Sequence, residues 1–155
     1  MQQVRYFVSY AHADADDVNR FNKVLRPQLA TADGFRFEPW MDTEILPGED
    51  WNLQIQTAAN ACDFGLLLVS PAFLSSKYIV EKELAPLLAK PMVVPVGLHP
   101  IVFNGTMDLK GLAERQLYRD PQGRTFDQCG RMHTRRAFAL DLHQKMTALL
   151  KKSHA

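Results

Sequence analysis

The residue that stands out as chemistry is Glu83. Counted at about 100° per residue on a helix, Ile79, Val80, Leu84, Leu87 and Leu88 fill one apolar arc, and Glu83 falls inside it, one turn after Ile79 and one turn before Leu87. A carboxylate among buried side chains costs free energy unless it is paired, and such conflicts between local rules concentrate at functional sites. Two kinds of reading follow from periodicity: Glu83 serves a reaction, or it bends outward or pairs with a basic neighbour. Glu81 lies at the edge of the arc and is the rival carboxylate, while Lys82 points to solvent.

Other reactive types are present without the company their chemistry needs. Asp14, Asp16 and Asp17 follow the first strand, but the expected acceptor carboxylate at the end of the third strand is absent, where Val69-Ser70 stand instead. These aspartates read as an acidic helix start. The histidines at 12, 99, 133, 143 and 154 are scattered, and Cys129-x-x-x-His133 lacks the second pair a zinc site requires. Ser9, Ser70 and His12 supply the types of a hydrolytic triad, but no G-x-S-x-G elbow supports one. No G-x-G occurs anywhere, and no G-x-x-x-x-G-K-[ST] either, which excludes the ordinary dinucleotide fingerprint and the P-loop.

The elements that must position Glu83 alternate. Val4 to Tyr10 is β-branched and aromatic and predicts a strand. Asp16 to Leu29 predicts a helix with Val18, Phe21, Leu25 and Leu29 on one face. Phe35 to Trp40 predicts the second strand, Met41 to Gly48 a loop, and Glu49 onward a helix with Trp51, Ile55, Ala58 and Cys62 packed inward. Asp63 to Val69 is apolar without alternation, the mark of a strand buried on both faces. Ser76 to Ala89 predicts the third helix, kinked or loosened by Pro86. Met92 to Val96 predicts a fourth strand, Gln116 to Tyr118 a short fifth, and Arg131 to Lys152 a terminal helix with Phe138, Leu142, Met146 and Leu149 inward. Strands alternating with helices imply a parallel sheet covered on both faces, with ligands at the carboxyl ends of the strands.

The chain has 155 residues and a net charge of +1, which fits one domain, 1–155, and argues against a strong grip on nucleic acid. The basic cluster Arg131, Arg135 and Arg136 reads as a solvated helix face. Two cysteines suit a reducing compartment. No apolar run approaches the length of about 18 residues that spans a membrane, and Met1-Gln2-Gln3 opens no secretory signal. The expectation is a cytoplasmic domain.

An ordered set of motifs runs through this pattern. Tyr6-Phe7-Val8-Ser9-Tyr10-Ala11 closes the first strand. Trp40-x-Asp42-x-x-Ile45-x-Pro47-Gly48-x-x-Trp51 spans the next loop, and Ser70-Pro71-x-Phe73-Leu74-x-Ser76-x-Tyr78 leads into Glu83-Leu84. Over nearly the whole chain, this set resembles a bacterial-type Toll/interleukin-1 receptor (TIR) domain. The resemblance implies an α/β, flavodoxin-like three-layer sandwich with a five-stranded parallel sheet. It also implies cleavage of NAD+ at the nicotinamide–ribose bond, with Glu83 as the catalytic glutamate of the third helix and a linear or cyclic ADP-ribose product. Around Glu83 it implies a substrate-binding set of Ser9, Tyr10, Ala11, Trp40, Asp42, Ile45, Ser70, Phe73 and Tyr78. NAD+ is then the substrate, and no cofactor or metal is expected.

The resemblance further implies self-association through the 42–48 loop, activation by assembly, and a fused or associated sensor domain of an antiviral system, the chain then being one piece of a longer protein. Many catalytic members carry a Trp four residues before the glutamate. Position 79 is Ile here, and Tyr78 stands five before. Either the register shifts by one, or Tyr78 takes that role from its shifted position. Each aromatic reads equally as simple packing, and Trp40 and Trp51 more readily so than the others. Two other functions compete: a non-catalytic TIR–TIR adaptor, and an enzyme on another substrate, making cyclic nucleotides or degrading nucleic acid.

Overall fold

The computed structural model describes residues 1–112 and 117–153. Its centre is β1 (Gln2–Ser9), which pairs in parallel with β2 (Phe35–Trp40) on one side and β3 (Phe64–Val69) on the other; β3 in turn pairs with β4 (Val93–Gly97). The sheet order is β2-β1-β3-β4. The expected fifth strand is reduced to a single parallel bridge between Tyr118 and Val96, and Gln116 lies outside the described residues. The sheet therefore has four strands, not five. The chain leaves the sheet directly after Tyr118, where Arg119 donates to the carbonyl of Ile101 and Asp120 opens a tight turn closed by Arg124.

Strand alternation sorts the core into two layers. Tyr6, Val8, Leu66 and Leu68 face α1 (Ala15–Leu29) and α5 (Met132–Ser153). Phe7, Leu67 and Val69 face α2 (Trp51–Ala61), the short α3 (Pro71–Ser75) and α4 (Ala85–Leu88). Every residue of β3 is buried, as its unbroken apolar run requires. Gly65 allows α4 to lie close on β3: a Cβ there would stand 3.1 Å from the Leu87 side chain. On α5 the inward residue of the last turn is Leu150 rather than Leu149, which is exposed.

The third helix departs most from expectation. Instead of one α-helix over 76–89, α3 stops at Ser75. A π-helical segment, Ile79–Leu84, follows and runs into α4. Pro86 is the second residue of α4, directly after the π-helical segment, so its missing N–H removes one backbone bond where the helix changes register, in keeping with the loosening expected of it. Among the described residues, no helix is long and apolar enough to cross a membrane.

Candidate active site

Glu83 is buried, with 7% of its surface exposed. It reaches the carboxyl end of β1, where the Ser9 hydroxyl donates to its Oε1 at 2.7 Å. Burial pushes its carboxyl up from 4.5 to about 7; the Ser9 hydrogen bond and nearby His12 oppose that rise, and Asp42 adds to it. Near neutrality this carboxyl is poised between its two forms.

The carboxylate forms one wall of a cavity of about 490 Å³. Its polar groups come from the loop that follows β1 and from Asp42 in the loop after β2. Asp42 accepts from the Tyr10 hydroxyl at 2.8 Å and pairs through its other oxygen with His12 Nε2. Burial and Asp42 together raise the Tyr10 phenol. The rest of the lining is mainly apolar and aromatic: Ile45, Ile55, Ile79, Tyr78 and Trp51, together with Ser76. The Trp51 and Tyr78 rings lie 4.9 Å apart, and the Tyr78 hydroxyl donates to Asn52 Oδ1 at 2.8 Å, which ties the ring to α2.

The π-helical stretch Ile79–Leu84 has a wider turn than an α-helix, and both Tyr78, five before Glu83, and Ile79, four before it, line the cavity beside Glu83. Burial and the Glu83 charge raise the Tyr78 phenol. Glu81, the rival carboxylate, is exposed and outside the cavity lining.

The sequence-expected set divides. Tyr10, Ala11, Asp42, Ile45, Tyr78 and Glu83 line the cavity, and Ser9 lies directly behind it, holding Glu83. Trp40 lies elsewhere: it stacks on Phe7 at 5.0 Å and borders the opposite side of α2. Ser70 and Phe73 are fully buried and outside the lining. Ser70 caps α3 by accepting from the Phe73 amide at 3.0 Å and donates to Asp14 Oδ2 at 2.5 Å. Asp14 is thus a buried acceptor at a strand end. It stands at the N-cap position of α1 but makes no side-chain capping bond, while Asp16 and Asp17 lie in the first turn as the acidic helix start expected of them.

Two wall residues were missed. Trp51 was expected in the core but is 55% exposed. Helical spacing correctly aligned it with Ile55, yet as the first residue of α2 it projects beyond the packed layer. His12 looked isolated because its partner, Asp42, is 30 residues away. The one available signal was its place directly after Ser9-Tyr10-Ala11, at a strand's carboxyl end.

A larger cavity of about 640 Å³ lies between β4 and α5. Its wall is mainly apolar, and its one carboxylate, Asp120, is engaged by Arg124 at 2.7 Å. It offers no counterpart to Glu83. Among the described residues, no three His, Cys, Asp or Glu side chains converge as a metal site.

A family model described as the TIR domain matches residues 7–131. No curated protein shows significant similarity to the chain.

Proposed function

Since the chain belongs to the TIR domain family, we propose that it is an NAD+ glycohydrolase that cleaves the nicotinamide–ribose bond. The observation that carries this reading is Glu83: a buried carboxylate on the wall of an open cavity, held by Ser9, in a lining that also includes the aromatic rings of Tyr78 and Trp51. A carboxylate next to planar side chains suits a ligand with a flat ring joined to a hydroxylated sugar.

Heterolysis of the C1′–N bond sends the electron pair to nicotinamide, which leaves neutral and needs no proton. Positive charge develops on the ribose, as in other oxocarbenium-like glycosyl transfers. Ionised Glu83 stabilises that charge and accepts hydrogen bonds from the ribose hydroxyls, in a site where burial limits screening. Water attacking C1′ loses its proton and yields ADP-ribose; attack by the adenine of the same molecule yields a cyclic isomer. With Ile at position 79, Tyr78 and Trp51 supply the large aromatic rings of the lining.

TIR domains interact with other TIR domains. In this chain the 42–48 loop holds a short 3₁₀ turn over Asp42–Glu44, then Leu46, 66% exposed, and Gly48 at a φ of +89°. We expect self-association through this loop to order the Asp42 side of the cavity and raise activity. The setting is the cytoplasm, within an antiviral response, with the entire chain as one TIR unit coupled to a sensor. A pure TIR–TIR adaptor is the second reading, favoured by the same exposed Leu46. Incubating concentrated protein with NAD+ separates the two. Nicotinamide release that is lost in Glu83→Gln supports the enzyme; no release under crowding or forced assembly leaves the adaptor.

A further inference from the structure

The cavity is electrically lopsided. Glu83 and Asp42 place two carboxylates on its wall, and among the described residues lining it the one group able to carry positive charge is His12. A nucleotide bearing a diphosphate would be repelled by such a wall unless its phosphates were kept away from Glu83 and met by a cation. The His12 side chain is 77% exposed, yet it is held in place: Asp42 engages Nε2, and the ring lies 5.6 Å from that of Tyr10. With Nε2–H committed to Asp42, Nδ1 has no protein partner among the described residues, and in the imidazolium it is a free donor. Asp42, in turn, has one oxygen occupied by Tyr10 and the other by His12, so the His12–Asp42 pair is close to neutral as a unit, and His12 Nδ1 is its nitrogen left without a partner among the described residues.

We propose that His12 is the phosphate-recognising residue of this cavity, anchoring the diphosphate of a dinucleotide at the mouth while the cationic ring of the ligand turns inward toward Glu83. This inference rests on reading the cavity as a nucleotide site. It makes His12 a specificity determinant that separates phosphorylated from phosphate-free ligands. Charge-assisted hydrogen bonds to phosphate are the strong class, and the exposure of His12 limits this one to about tenfold.

The test compares ligands that differ in phosphate. Binding of ADP and of adenosine to the folded chain is measured by calorimetry, alongside cleavage of NAD+ and of nicotinamide riboside. ADP should bind about tenfold tighter than adenosine. In His12→Ala that preference should vanish, and the ratio of kcat/KM for NAD+ over nicotinamide riboside should fall about tenfold. His12→Arg, which keeps a donor cation at the same place, should restore both ratios, whereas His12→Asn should not. An unchanged ADP-to-adenosine ratio in His12→Ala overturns the proposal, as does equal or undetectable binding of the two by the wild-type chain. Should no variant or wild type cleave NAD+ while the ADP preference still depends on His12, the glycohydrolase reading fails and the phosphate site stands.

Discussion

Two buried serine–carboxylate pairs sit at adjacent strand ends of this sheet. Ser9 at the end of β1 donates to Glu83 at 2.7 Å, and Ser70 after β3 donates to Asp14 at 2.5 Å. Their surroundings separate them. Asp14 also has His99 Nδ1 within 3.5 Å of its other oxygen, and His99 reaches Asp17 at 2.7 Å through Nε2. That hydrogen bond is the main reason the Asp17 carboxyl is lowered. Glu83 has Ser9 alone as a side-chain donor among the described residues, and its remaining surface faces a cavity. Burial with few donors raises its carboxyl to about 7. A carboxylate with both a hydroxyl and an imidazole beside it ties neighbouring segments together; one with a single hydroxyl donor on the wall of a cavity remains available to a ligand.

The largest expected effect breaks the pairs apart by activity. Glu83→Gln should lower nicotinamide release from NAD+ by about 10³-fold, the scale of removing a preorganised electrostatic group. Asp14→Asn should lower it less than tenfold per folded molecule, as measured by release normalised to the folded fraction from circular dichroism. Equal losses in two folded variants would erase the distinction.

Stability should move in opposite directions. The folded-state value of Glu83, about 7, lies above its ordinary 4.5, so the folded chain holds the proton more tightly. This group is therefore neutral in its effect below about pH 4.5; its contribution turns unfavourable as pH rises to about 7 and is constant above. The displacement corresponds to roughly 3 kcal/mol. Urea unfolding at pH 8 should find Glu83→Gln more stable than wild type by up to that amount, with the gap closing near pH 4.5. Asp14→Ala should instead cost about 2–3 kcal/mol at pH 8, since it strands a buried hydroxyl.

A smaller effect sharpens the role of Ser9. If ionised Glu83 is the working form, kcat/KM should rise with pH through about 7 and then level. Ser9 favours the ionised form, so Ser9→Ala should shift the inflection upward and reduce kcat/KM at pH 7 by about tenfold. A fall in rate with no shift of the profile would show that Ser9 only shapes the fold. Smallest is Trp51→Ala: removing one exposed ring of the aromatic wall should raise KM for NAD+ about threefold, read from steady-state kinetics, with the pH profile unmoved.

Much of this was legible in residue order. The apolar run of β3, the helical stripe Val18-Phe21-Leu25-Leu29 and the alternation of strand and helix follow from side-chain periodicity, which local steric rules impose on any chain. Glu83 was legible too, because a carboxylate inside an apolar arc violates that periodicity. Less legible were the fifth strand, which closes to one bridge at Tyr118, and the π-helical register of Ile79–Leu84, a stretch that packs against α2 and α3.

The sequence by itself determined the layers, the strand ends and the misplaced carboxylate, since each is a property of near neighbours in the chain. Only the tertiary structure decided which groups surround that carboxylate. It joined His12 to Asp42 across 30 positions and Ser9 to Glu83 across 74. It also left Trp51 at the rim and sent Trp40, Ser70 and Phe73 to structural duties. Pairings of that range depend on how strands and helices dock, and local spacing carries no record of the distance between elements far apart in the chain.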